Sequence, residues 1–148
     1  MKVVASHVTD AYLLVDLLDC FSDSDREDAA RNILDGAVSW TFFDEGKAVG
    51  VIGALVIHNH CLSVWTLLSK DIYKKPIEFH RKLKLKLDEL MDVPDVERLQ
   101  SLVDVGNDSA YKQNLALGFR FEGTLRKSGL DKQDQTLFGL VRGKDGGC

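Results

Sequence analysis

Features that would mark several protein classes are scarce in this sequence. Of its 148 residues, two are proline and three are cysteine. Cys20, Cys61 and Cys148 lie far apart, so we expect no disulfide framework and take a reducing compartment, the cytoplasm, as the default. With 45% hydrophobic residues and so little proline, the composition excludes a disordered chain and predicts a folded core.

A basic overall charge and long apolar segments are also missing. The net charge is −4, which predicts no general attraction to nucleic acid or to an anionic membrane surface. No apolar run approaches the ~20 residues that span a bilayer, and the N-terminus shows no signal-peptide pattern. We therefore expect neither nucleic acid nor membrane partners. The length predicts one domain, residues 1–143, with a flexible tail at 144–148.

What the sequence does contain is apolar periodicity that predicts an alternation of strands and helices. Strands are predicted at 2–5, 38–43, 48–57, 61–68, 98–103, from 119 onward, and at 136–142. Helices are predicted after Thr9 or Asp10, between Ser24 and Gly36, over 76–91, and between Asn107 and Gly118. The fold class is therefore α/β, with about six to seven strands and about four helices.

The stretch 76–91 carries two conflicting patterns. Residues 82–87 alternate leucine and lysine, which taken alone indicates a strand. Over the wider window, apolar residues fall on one helical face, and the length exceeds that of a typical strand. Pro76 suits a first helical turn. We predict a helix, which leaves Leu85 off its buried face.

Near the C-terminal end, a strand, a turn, a helix and another strand are predicted in close succession. Asn107 or Asp108 can accept hydrogen bonds from the amides that open the helix. Gly118 can end it in the left-handed conformation without a Cβ penalty. Phe119 and Phe121 then alternate with polar residues, which predicts a strand with one buried face.

These C-terminal residues resemble the last third of GNAT N-acetyltransferases, and most closely the branch that acetylates ribosomal-protein N-termini. The motifs are Asn107-x-x-Ala110, Leu117-Gly118-Phe119 and Phe121-Glu122-Gly123-x-x-Arg126. The segment 135–143 is also similar to small acetyltransferase-like proteins of short-tailed phages, among them an internal virion protein. The resemblance implies a GNAT-like twisted mixed sheet whose two central parallel strands, 61–68 and 98–103, splay apart.

The resemblance further implies that acetyl-coenzyme A lies between the splayed strands, with its pyrophosphate on the amides that open the following helix. In this chain the corresponding loop, 69–77, contains no glycine, and Pro76 removes one amide. Lys70, Lys74 and Lys75 could hold phosphate as point charges, but a solvated basic helix start is the simpler interpretation. The expected cofactor-binding residues are Leu67, Leu68, Lys74, Lys75, Ile77, Asn107, Ser109 and Asn114.

The same resemblance places a proton-donating tyrosine, four residues before the Gly-Phe pair, at the position of Asn114. An amide is a poor general acid, so Tyr111, one turn earlier, is the candidate donor to the departing thiolate. Asp104, at the end of a strand, is a candidate general base for the amine, although such residues are more often turn acids. We expect no metal site: His58, His60 and Cys61 lack a fourth ligand nearby.

Two functions follow from these residues. The first is an acetyl-coenzyme A-dependent N-acyltransferase acting on an amine, on a protein or a small molecule. The second is a catalytically silent GNAT-fold phage protein of the virion, of assembly or of host interaction, located in the host cytoplasm or the virion. The loop without glycine and the missing tyrosine favour the second; Asn107 and the C-terminal motifs favour the first.

Overall fold

The computed structural model describes residues 1–5 and 38–143. Its elements are β1 (Lys2–Ala5), β2 (Val38–Asp44), β3 (Lys47–His58), β4 (Cys61–Leu68), a 3-10 helix (Lys70–Lys74), α1 (Pro76–Met91), β5 (Arg98–Asp104), α2 (Asp108–Ala116), β6 (Arg120–Leu125) and β7 (Gln135–Val141). The two helices predicted between Thr9 and Gly36, and the tail, lie outside the described residues.

The seven strands form one mixed sheet in the order β1-β2-β3-β4-β5-β7-β6. Strand β4 pairs parallel with β5, whereas β1 with β2, β2 with β3, β5 with β7 and β6 with β7 are antiparallel. The parallel pair is joined through α1, as parallel strands require a crossover connection. The predicted α/β class and mixed sheet are confirmed.

The described residues fall into two compact units. Of the described residues, the first unit contains 1–5, 38–56 and 65–86, and the second contains 57–64 and 87–143.

In the first unit, a tight hairpin joins β2 to β3. Glu45 and Gly46 have φ of 51° and 78°, the pair of positive values that a two-residue turn matched to strand twist requires. Asp44 and Lys47 are opposite each other across this turn. Behind the hairpin, Phe42 packs edge-on against Phe79 of α1 with ring centroids 5.3 Å apart.

The helix predicted over 76–91 is confirmed as α1. The side chains at Phe79, Leu83, Leu87 and Leu90 are at most 3% exposed, whereas Leu85 is 56% exposed. The helical spacing of the buried residues therefore outweighs the local two-residue alternation, because one continuous apolar stripe is buried.

In the second unit, Leu99, Val103 and Phe138 of β5 and β7 form a buried sheet face. Gly118 ends the α2 region with φ of 99°, so its predicted left-handed conformation is confirmed. Phe119 is buried, but Phe121 is 53% exposed, and the expectation that both aromatic rings are buried was wrong. Strand β6 is at the edge of the sheet, and its register shifts between Phe121 and Gly123.

Candidate functional site

The parallel ladder between β4 and β5 is short. It runs from Cys61↔Arg98 to Val64↔Ser101 and so includes the first four residues of the eight in β4. This is the arrangement predicted for two parallel strands that separate toward their C-terminal ends. Leu67 and Leu68, two of the residues expected to bind the cofactor, follow in the second half of β4.

The loop after β4 is tied closely to the hairpin of the first unit. The Ser69 amide donates to the carbonyl of Val49 at 2.9 Å, and the side chains of Leu68 and Ile72 pack over Gly50. The hydroxyl of Ser69 is buried and has no hydrogen-bond partner among the described residues. The hydroxyl is thus enclosed by protein at the start of the segment expected to meet phosphate.

The lysines of this loop are all held by carboxylates, except for Lys70, for which no ion pair is found among the described residues. Lys75 Nζ lies 2.7 Å from Asp44 Oδ1. Lys74 Nζ lies 3.0 Å from Asp71 Oδ1, and Lys47 Nζ lies 2.9 Å from Asp71 Oδ2. Two ion pairs therefore join the hairpin to the loop. Lys47 of the hairpin pairs with Asp71 of the loop, and Lys75 of the loop pairs with Asp44 of the hairpin.

The ion pairs stabilise the charged forms of Asp71, Lys74 and Lys75. Hydrogen bonds from Lys47 and then Lys74 lower the pKa of Asp71 from 3.8 to about 2. The bond to Asp71 raises the pKa of Lys74, and the bond to Asp44 raises the pKa of Lys75. Asp71, Lys74 and Lys75 are therefore ionised at neutral pH.

The loop meets only some of the requirements of a phosphate site. Three lysines supply positive charge, and Ile77, 75% exposed, lies in the first turn of α1, where amides lack intrahelical partners. Pro76 opens that helix without an amide. Sequence reasoning missed Lys47 as a candidate phosphate-binding residue, because it is 27 residues before Lys74 in sequence. The available signal was the turn at residues 44–47, in which Lys47 lies.

In the second unit, the predicted site residues cluster around the start of α2. Asn107 is its N-cap, and its Oδ1 accepts from the amide of Ala110 at 3.2 Å. Ser109 is exposed in the first turn. Asn114 is 9% exposed, and its Nδ2 donates to the carbonyl of Ala110 at 2.8 Å. The Asn107 and Asn114 side chains thus both hydrogen-bond to the backbone of α2.

Tyr111 lies on α2 beside the buried sheet face. Its ring meets Phe138 edge-on at a centroid distance of 5.0 Å, and the side chain is 37% exposed. The ring is therefore anchored on one side and open to solvent on the other. Of the two positions considered for proton donation, Tyr111 alone carries a donor acidic enough for that role, and Asn114 uses its amide within the helix.

Asp104 ends β5 and is held by one residue just before β7 and by the first residue of β7. Its Oδ1 accepts from Gln135 Nε2 at 3.0 Å and from Gln133 Nε2 at 3.2 Å. Gln135 also accepts from the hydroxyl of Ser128 at 3.0 Å. Two donors on one oxygen orient the carboxylate, and its other oxygen accepts none of the hydrogen bonds found among the described residues.

His58 and His60 close the turn between β3 and β4. The amide of His60 donates to Nδ1 of His58 at 3.2 Å, so this nitrogen already accepts a hydrogen bond within the turn. Within residues 1–5 and 38–143, no group of three or more His, Cys, Asp or Glu side chains could hold a metal ion.

No protein-family model matches this sequence, and no curated protein matches it significantly. Solved structures do match. A GNAT-family acetyltransferase from Streptococcus pneumoniae is 19% identical, with 96% of this chain and 99% of that chain covered at a TM-score of 0.74. A mutant of spermidine N-acetyltransferase SpeG from Vibrio cholerae is 16% identical, with 95% of each chain covered at 0.73.

The ribosomal-protein-S5-alanine acetyltransferase from Vibrio fischeri is 18% identical, with 94% of this chain and 91% of that chain covered at a TM-score of 0.74. At such identities the likeness establishes the fold, which is that of the GNAT acetyltransferases. Among the described residues, no helix is both long and apolar enough to span a membrane.

Proposed function

We propose that this protein is a GNAT-like N-acyltransferase that transfers an acetyl group from acetyl-coenzyme A to an amine. The observation that carries the proposal is that the fold agrees with those of acetyltransferases over nearly the whole chain. The thioester supplies the acyl group. The amine nitrogen attacks its carbonyl carbon, the carbon–sulfur bond breaks, and the sulfur leaves with a proton.

The roles we propose follow the contacts in each unit. Lys74 and Lys75, aided by Lys47, would attract the phosphates. Leu67, Leu68 and Ile77 would contribute backbone and apolar contacts to the cofactor, and Ser109 would contact it from the first turn of α2.

At α2, the cap at Asn107 and the internal bond of Asn114 would keep the helix in place. Tyr111 would protonate the leaving sulfur. Asp104 would accept a proton from the amine.

The acceptor is an amine of a protein or a small molecule. The solved neighbours include enzymes named for spermidine and for the alanine of ribosomal protein S5. These two amines, a polyamine and a peptide N-terminus, are therefore the first acceptors to test.

Two measurements test the proposal. Calorimetric titration with acetyl-coenzyme A should detect binding. If it does, replacing both Lys74 and Lys75 with Ala should weaken that binding and flatten its dependence on salt. An affinity that does not change in the double variant would place the phosphates elsewhere.

The second measurement follows free thiol in the presence of each amine. We expect slow turnover, because a loop without glycine gives the remote nucleotide less binding energy with which to position the thioester. Tyr111→Phe should reduce the rate about 100-fold or more, and Asn114→Ala should reduce it less. Fast turnover that is insensitive to Tyr111→Phe would refute the role of Tyr111.

A second candidate function is supported by the same loop. Because Lys74 and Lys75 are each occupied by a carboxylate and Asn114 stands where a tyrosine is expected, the fold could serve without catalysis. We propose, as this alternative, a phage virion, assembly or host-interaction protein that lacks cofactor binding and is present in the virion or the host cytoplasm. Absence of heat and of a melting-temperature shift with acetyl-coenzyme A would support it.

A further inference from the structure

The carboxylate of Asp71 bridges two lysines. Each of its oxygens accepts from a different lysine, Oδ2 from Lys47 and Oδ1 from Lys74. Two oxygens of a phosphate group would bind two ammonium groups in the same bridging manner. The lysines come from different elements, the β2–β3 hairpin and the 3-10 helix, so the folded chain brings them together around one carboxylate.

Resting on the acyltransferase function proposed above, we propose that Asp71 is an internal anion that competes with the phosphates of the cofactor for Lys47 and Lys74. Phosphate binding then requires the Asp71 side chain to rotate away from both lysines. The site would therefore bind phosphates weakly while Asp71 is in place and tightly when it is displaced.

The charges in this part of the first unit support this assignment. Lys47, Lys74 and Lys75 are paired with two carboxylates, Asp44 and Asp71, and Glu45 adds a third negative charge that acts on Lys74 and Lys75, so these carboxylates together balance the three lysines. The pKa of Asp71 is lowered to about 2, so the competing charge persists throughout the physiological pH range.

The exposed fractions of these side chains indicate that a phosphate can displace Asp71 from the two lysines. The side chains of Lys47 and Lys74 are 58% and 74% exposed, and that of Asp71 is 30% exposed. Exposed ion pairs are weak and are readily exchanged for other partners. The pair between Lys75 and Asp44 is less open, since Asp44 is only 15% exposed, and we assign the switch to Asp71 alone.

The test is calorimetric titration with two probes, inorganic pyrophosphate and coenzyme A, on the full chain. Asp71→Asn should bind pyrophosphate about three- to tenfold more tightly than the parent, because two exposed competing pairs are removed. Asp71→Glu, which keeps the charge, should bind like the parent. Asp92→Asn makes the same change in net charge in the second unit and should leave the affinity within about twofold of the parent.

A further variant shows whether the lysines mediate the gain. Adding Lys47→Met to Asp71→Asn should return the pyrophosphate affinity toward the parent value. An unchanged or weaker affinity of Asp71→Asn for pyrophosphate, or no binding by either protein, would overturn the internal anion.

Titration with coenzyme A distinguishes a failure of this inference from a failure of the proposed function. If Asp71→Asn gains affinity for pyrophosphate but neither protein binds coenzyme A, the internal anion stands and the acyltransferase proposal fails. If the parent and Asp71→Asn bind coenzyme A equally well, the acyltransferase proposal stands and the internal anion is refuted.

Discussion

Gly139 of β7 lies beneath an ion pair that joins the two strands on either side of it. Arg98 of β5 donates from Nη1 to Oε2 of Glu122 in β6 at 2.8 Å, and Nη2 lies 2.8 Å from Oε1. A Cβ atom at residue 139 would lie 1.9 Å from Glu122 Oε2 and 2.6 Å from Arg98 Nη1. The pair can bridge β5 and β6 only because Gly139 has no side chain.

We therefore predict that Gly139→Ala lowers the free energy of unfolding by roughly 1 kcal/mol. The two-pronged pair is partly buried, with side chains 25% and 34% exposed, and should contribute about 1 kcal/mol, the upper end for pairs near the surface. The added methyl group separates the pair, at a further packing cost of about 1 kcal/mol. Replacing a glycine within a strand by alanine stabilises the strand itself by about 0.5–1 kcal/mol, which offsets part of this loss.

The same substitution in a Glu122→Ala protein tests whether the ion pair is the cause of the destabilisation. In Glu122→Ala the carboxylate that the methyl group would meet is absent, and Arg98 can move aside. There Gly139→Ala should be neutral or stabilising by about 0.5 kcal/mol. The assay is urea unfolding of the four proteins in a double-mutant cycle. Equal destabilisation in both backgrounds would refute this reasoning and point to backbone strain at residue 139.

The pH dependence of the same pair provides an independent check. The hydrogen bond from Arg98 lowers the pKa of Glu122 below its ordinary value of 4.5. The stabilisation is therefore fully present above the unfolded-state pKa and is lost as the pH falls through the lower folded-state pKa. The stability difference between the parent and Glu122→Gln should be constant near neutral pH and disappear in acid; a difference that persists in acid would count against an electrostatic origin.

Two further predictions concern α2. Gly118→Ala should lower the free energy of unfolding by about 1–2 kcal/mol, because φ at this position is 99°. In the control Gly123→Ala the added methyl group enters open space, so this variant should be near neutral. Equal effects of the two substitutions in urea unfolding would contradict the role of the left-handed conformation. Asn107→Ala should lower the free energy of unfolding by about 1 kcal/mol, because the hydrogen bond to the Ala110 amide is lost. Asn107→Asp keeps an acceptor and should retain most of the stability in the same assay. Equal losses in both variants would show that the cap contributes little.

Local patterns determined much of this fold. The turn at residues 44–47 contains Gly46, which adopts a φ of 78° without a Cβ penalty, although Glu45 also takes a positive φ there. Asn107 and Gly118 cap and end their helix by backbone chemistry that operates within a few residues. The apolar stripe through Phe79 and Leu83 identified α1 despite the alternating lysines. Each of these features depends on neighbours in sequence, which is why the sequence alone could predict it.

The exposure of Phe121 and the pairing of the lysines depended on contacts between distant segments. Phe121 is exposed because β6 is the last strand of the sheet, a position decided by which strands pair. Lys47 and Asp71 meet across 24 residues, and Arg98 reaches Glu122 over a glycine in a third strand. Charge type is visible in a sequence, but which charges neutralise one another is decided only when the folded chain brings their side chains within hydrogen-bonding distance.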